Sequence, residues 1–292
     1  MDKPIDIQKE IESTKKRINL DFKKIKSMSL YNFINDTLPN LIIDCRDNYE
    51  ENFKKEKEKY ILNSFVVNNF PFTTVKIKPD SRLILIMNEK QDLKTDKDLE
   101  KLRKYIYDEN NIKDIYITTD YTLFAEKYPF LLVNEKSTED ETNLVKTNFP
   151  IILLDDLLYI GNFFNSKNLG QIDKLGIKSI ITLAAKPDTE LKKKFENLEH
   201  FEIDEEGHGE IDYLDIVYHM ECEIKEKKTP IMLYCFSGKS VSVAVAIAFL
   251  MRYKKWPLQL ATGFAMKIVP NCNLPAWLFT QLSRINFSEL DK

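Results

Sequence analysis

An excess of basic residues, a long apolar run and a paired set of cysteines are all missing from this chain. Across 292 residues, 43 lysines and arginines are outweighed by 46 aspartates and glutamates, for a formal net charge of -3. That balance offers no positive field to a polyanion, so no nucleic-acid partner is expected. The longest apolar run, residues 241–251, is too short to cross a bilayer and stops against Arg252, Lys254 and Lys255. The opening Met-Asp-Lys-Pro-Ile-Asp has none of the apolar core of a signal peptide, and a cytoplasmic protein with no membrane partner is expected. Four cysteines (Cys45, Cys222, Cys235, Cys272) sit at wide spacing with no Cys-x2-Cys pair, and there are three histidines. Neither a disulfide framework, a metal site nor a cofactor is indicated.

What is present is hydrophobic content of 43%, enough at this length for two domains of ordinary size, with 30% charged residues to keep the surface soluble. In the charged segment 5–26, Ile7, Ile11, Ile18, Phe22 and Ile25 recur at three-and-four spacing. This predicts an amphipathic helix over residues 1–28, packed on its own body or docked on a partner. Residues 41–44, 83–87 and 115–118 are short β-branched runs separated by a charged helical pattern at 95–109. That alternation predicts an α/β domain over 29–133 with a mostly parallel sheet. Residues 134–148 are polar and aperiodic and read as a linker. A second α/β domain is expected over 149–288, with strands at 177–183, 200–203 and 231–234 and a helix at 213–225. Residues 240–253 are apolar nearly all round, the pattern of a buried central helix.

The strand at 231–234 feeds that helix through Cys235, Phe236, Ser237, Gly238, Lys239, Ser240, Val241 and Ser242. With Leu158-Tyr-Ile-Gly-Asn162, Leu175-Gly-Ile-Lys-Ser-Ile-Ile-Thr182 and Gln281-Leu282 in the same order, residues 149–288 resemble a dual-specificity phosphatase domain. That family carries His-Cys-x5-Arg-Ser/Thr at this place. The resemblance implies a cysteine nucleophile, Cys235, in a phosphate loop of residues 236–242, whose backbone N–H groups and helix N-terminus converge on an anion. Here Tyr234 replaces the histidine and Val241 the arginine, which removes the planar cation that grips phosphate in the transition state. Lys239 could supply a point charge but not the fork. The general-acid position falls on Glu205, next to Asp204, in an acidic segment that a solvated loop also explains. The family's Asn-x-Gly-Phe turn is replaced by Pro275-Ala-Trp-Leu278.

Residues 29–133 resemble the rhodanese-like domain that precedes the catalytic domain in MAP-kinase phosphatases. The matching residues are Leu41-Ile-Ile-Asp-Cys-Arg46, Tyr60-Ile-Leu-Asn-Ser-Phe-Val-Val67 and Thr122-Leu-Phe-Ala-Glu-Lys-Tyr-Pro-Phe-Leu-Leu132. A working rhodanese has a cysteine after its central strand; this chain has Asn88-Glu-Lys-Gln91, so an inert domain is expected. Where the kinase-docking arginines would stand there are Lys76 and Lys78. Together the two resemblances give the layout of STYX-like pseudophosphatases. They imply a non-catalytic adaptor or scaffold with other proteins, signalling or cytoskeletal, as partners and no small-molecule ligand. Two alternatives stand beside it: a weakly active dual-specificity phosphatase using Cys235, and an architectural subunit of a large cytoskeletal or ciliary assembly.

Overall fold

The computed structural model describes residues 22–291 apart from 37, 47–58, 73, 78–80, 109–111, 113, 135, 184–185, 188, 196–197, 205–208 and 270. The described residues up to Leu30 and from Leu38 to Asn134 form one compact unit; those of 31–37 and 135–292 form another. Among the described residues no helix is long and apolar enough to cross a membrane.

The first unit is built on a five-stranded parallel sheet of β1 (Phe22–Lys24), β2 (Asn40–Asp44), β4 (Phe65–Val66), β5 (Arg82–Ile86) and β6 (Asp114–Thr118), in the order β1-β6-β5-β2-β4. Every residue of central β5 is buried, the pattern of a strand covered on both faces. A small antiparallel pair joins β3 (Tyr60–Ile61) to β7 (Leu132–Val133). Helices α1 (Ser27–Asn35), α2 (Glu100–Asp108) and α3 (Tyr121–Lys127) separate the strands.

Two local expectations are corrected here. The helix predicted over the charged N-terminal segment fails at its end: β1 pairs in parallel with β6, Phe22 opposite Ile115, and Ile25 N–H continues the ladder to the Ile117 carbonyl. An unfilled strand edge outweighs a helical stripe of marginal propensity. Residues 1–21 lie outside the described part. The helix expected at 95–109 begins only at Glu100, because Asp92 and Asp96 turn their side chains onto the N–H groups of Lys94 and Asp98.

In the second unit the sheet order is β11-β10-β12-β9-β8. Its strands are β8 (Ile151–Leu154), β9 (Leu158–Gly161), β10 (Ser179–Leu183), β11 (Glu199–Phe201) and β12 (Ile231–Tyr234), parallel except for the β8–β9 hairpin. Its helices are α4 (Glu139–Lys146), α5 (Phe163–Lys167), α6 (Leu169–Lys174), α7 (Thr189–Lys194), α8 (Tyr213–Lys225), α9 (Val241–Tyr253), α10 (Leu258–Ile268) and α11 (Ala276–Ser283). Residues 241–250 of α9 are all buried, so this helix is the core against which the sheet and α8, α10 and α11 pack. The polar stretch 134–148 is not irregular throughout. Thr138 and Glu141 form a reciprocal capping box that starts α4.

Residues 31–36 seal one edge of this second sheet. The Asn32 amide donates to the Ile152 carbonyl and accepts from the Ile152 N–H, both at 2.8 Å, as a paired strand would. Tyr31 Oη donates to the Pro150 carbonyl at 2.9 Å, and Asn35 Oδ1 accepts the Phe149 N–H at 3.1 Å.

Candidate active site

β12 lies between β10 and β9, with Tyr234 opposite both Thr182 and Gly161, and delivers Cys235 at the end of a fully buried strand. The chain must then turn within a few residues to enter α9. It does so through Gly238, whose φ of 69° is in the left-handed region. A Cβ there would also stand 2.7 Å from the Gly161 carbonyl oxygen, so the glycine allows the loop to lie against the end of β9.

The loop is tied down on both flanks. Phe163 N–H donates to the Phe236 carbonyl at 3.2 Å, and Asn273 N–H to the Lys239 carbonyl at 2.8 Å. Inside the turn, Lys239 N–H reaches Ser237 Oγ at 3.2 Å. Cys235 is 0% exposed; its sulfur accepts the Gly238 N–H at 3.3 Å and lies 3.3 Å from Ser242 Oγ. Val241 is 0% exposed and its side chain belongs to the apolar core around α9. Ser240 makes no side-chain cap, so α9 opens with backbone donors only.

Of the carboxyls predicted for proton transfer, Glu205 lies outside the described residues. Asp204 is exposed, and its carbonyl accepts the Gly209 N–H at 2.9 Å. Gln281 on α11 holds the chain at Gly209 and Ile211: Oε1 accepts from Ile211 N–H at 3.0 Å and Nε2 donates to the Gly209 carbonyl at 3.1 Å. The sequence marked Gln281 only as a motif match; its role is tertiary. Also unread in the sequence were Phe163 and Phe164, two adjacent aromatics in an otherwise polar Asn162–Asn168 stretch. The Phe163 ring stacks on Phe236 with centroids 5.8 Å apart and an interplanar angle of 23°.

In the first unit the segment after β5 is stapled shut. Gln91 Oε1 accepts the Asn88 N–H at 2.8 Å and Gln91 Nε2 donates to the Cys45 carbonyl at 2.6 Å. Cys45, the only cysteine of this unit, is buried. Burial first, then the nearby Asp44 and Asp96 carboxylates, push its thiol far above the ordinary 9.0.

Comparison with known proteins bears on the second unit. The family "dual specificity phosphatase, catalytic domain" matches residues 158–283. Protein phosphatase Slingshot of Drosophila melanogaster is 27% identical over 120 residues, covering 40% of this chain and 12% of that protein. Protein-tyrosine-phosphatase IBR5 of Arabidopsis thaliana is 25% identical over 139 residues, covering 46% of this chain and 50% of that protein. The chain thus spans half or less of the length of these curated relatives. A solved structure of the human tyrosine phosphatase-like serine/threonine/tyrosine-interacting protein aligns over 49% of this chain and 97% of its own, with 16% identity and a TM-score of 0.41. Residues 158–283 carry a dual-specificity phosphatase domain related to that of Slingshot.

Proposed function

We propose that the protein is a pseudophosphatase: a dual-specificity phosphatase domain that does not turn over phosphate, preceded by an inert rhodanese-like unit, and acting in the cytosol as a protein-binding adaptor or scaffold. The observation that carries the reading is Val241, an apolar side chain sunk in the core at the place where phosphate would need a fork of donors. Loss of one preorganised donor at a developing charge costs on the order of 10²–10³ in rate, and loss of a permanent cation facing a dianion costs at least that. The burial of Cys45 and the Gln91 bonds that close the segment after β5 support an inert first unit. Lys76 is one of the two lysines offered in place of a kinase-docking arginine cluster, and Lys78 lies outside the described residues. A pair of point charges is a weak counterpart to bidentate forks, so a different surface is favoured for partners.

The test is turnover of an aryl phosphate and a phosphotyrosine peptide by wild type and by Tyr234→His/Val241→Arg. An inert wild type with an active double variant is expected. A wild type whose activity disappears with Cys235→Ser would overturn the reading. That second outcome has its own support, because the Gly238 and Ser242 contacts to the Cys235 sulfur are what a working nucleophile needs. Trapping a phosphocysteine on Cys235 would establish the weakly active enzyme instead.

A further inference from the structure

Phe164 is 77% exposed and Phe236 67%, and both rings lie beside Phe163 at the rim of the loop that begins with Cys235. Singly exposed aromatics are ordinary; adjacent ones held in fixed geometry are not. The Asn162 side chain accepts the Phe164 and Asn165 N–H groups at 2.8 and 3.0 Å, and Asn165 Oδ1 returns the bond to Asn162 N–H at 2.9 Å. This box fixes the turn that carries Phe163 and Phe164, and the bond from Phe163 N–H to the Phe236 carbonyl fixes the third ring. A platform ordered before contact loses little conformational entropy on contact.

Two lysines belong to the segments that carry these rings. Lys167 places its ammonium 4.3 Å from the Phe163 ring centroid, and Lys239 stands three residues beyond Phe236. Residues 157–172 contain no aspartate or glutamate, and neither do residues 227–288, which carry six lysines and two arginines in a chain of net charge -3. Asp36 shares a small recess with Ser237, Gly238 and Lys239.

We propose that Phe163, Phe164 and Phe236, with Lys167 and Lys239, dock an unphosphorylated acidic peptide segment that presents an aromatic side chain. The aromatic anchor stacks on the exposed rings and the flanking carboxylates face the lysines. No phosphate is required, which suits a loop whose cation position is Val241. An anionic membrane fits less well: two exposed rings give little apolar area to insert. The proposal rests on the adaptor reading and names its partner's chemistry.

The probe is a fluorescent peptide with one tryptophan flanked on both sides by glutamates, followed by anisotropy. Binding is expected to weaken as salt rises, by about tenfold or more in Phe164→Ala/Phe236→Ala, and with reversed charge in Lys167→Glu/Lys239→Glu. Melting curves identify any variant that fails to fold, and the charge-reversal pair then carries the test. Equal binding of a peptide with lysines in place of the glutamates, or of one with alanine for tryptophan, overturns the proposal. So does sedimentation with phosphatidylserine vesicles that the phenylalanine variants abolish while the peptide stays unbound. Aryl-phosphate turnover, measured on the same samples, is a separate readout: Cys235-dependent turnover removes the adaptor reading whether or not the peptide binds.

Discussion

Gly238→Ala asks more of the loop than any other single methyl group at the site. The residue would have to hold φ near 69°, which costs an L-residue on the order of 1–3 kcal/mol, and its new carbon would meet the Gly161 carbonyl at 2.7 Å. A lower urea midpoint is expected, by at least that free energy, with an unchanged slope. Cys235, Gly238 and Ser242 are marked in the sequence by the resemblance to the phosphatase motif, and they touch one another because the loop's geometry depends on residues close in sequence. The Phe163–Phe236 stack, the Asn273 tether and the Gln281 clasp join residues tens of positions apart, and nothing in a local pattern marks them.

Among the elements, α8, β12 and α9 were readable almost to the residue: periodic apolar positions, a short apolar run after a proline and an all-round apolar helix are strong local signals. α4 was not, since its stability comes from the Thr138–Glu141 box in a polar segment with no buried residue. β1 was misread because Phe22–Lys24 is a strand only by virtue of β6, which lies some ninety residues away in sequence. The seal on β8 belongs to the same class of tertiary fact. Asn32→Ala would leave the Ile152 N–H and carbonyl unpaired in a buried setting, at a cost of about 1–3 kcal/mol. Asn32→Asp, which sets a buried carboxylate oxygen against the Ile152 carbonyl, should cost at least as much. Faster amide exchange at Ile152 in Asn32→Ala is the local readout.

At the scale of the whole molecule, three buried acids tie stability to alkaline pH. Burial pushes the Cys45 thiol above its ordinary 9.0 and the Tyr159 and Tyr213 hydroxyls above 10.0, with Asp156 and Asp155 adding to the effect at Tyr159. The folded state therefore holds these protons more tightly than the unfolded chain. Their contribution is fully present below about pH 9 and is lost as pH climbs toward the folded values. Melting temperatures are expected to be level through neutrality and to fall above about pH 9, and Cys45→Ala should soften the fall in the first unit.

The asparagine seal also decides where a knife can be put. The conventional cut would begin the phosphatase domain near residue 149, ahead of its first strand, and such a fragment would keep the whole cysteine loop. It would lose Tyr31, Asn32 and Asn35, baring a row of β8 donors and acceptors along an open edge. Fragments cut there are expected to zip together through that edge and to imitate oligomers the intact chain does not form by this route, whereas material retaining residues 31–36 would not.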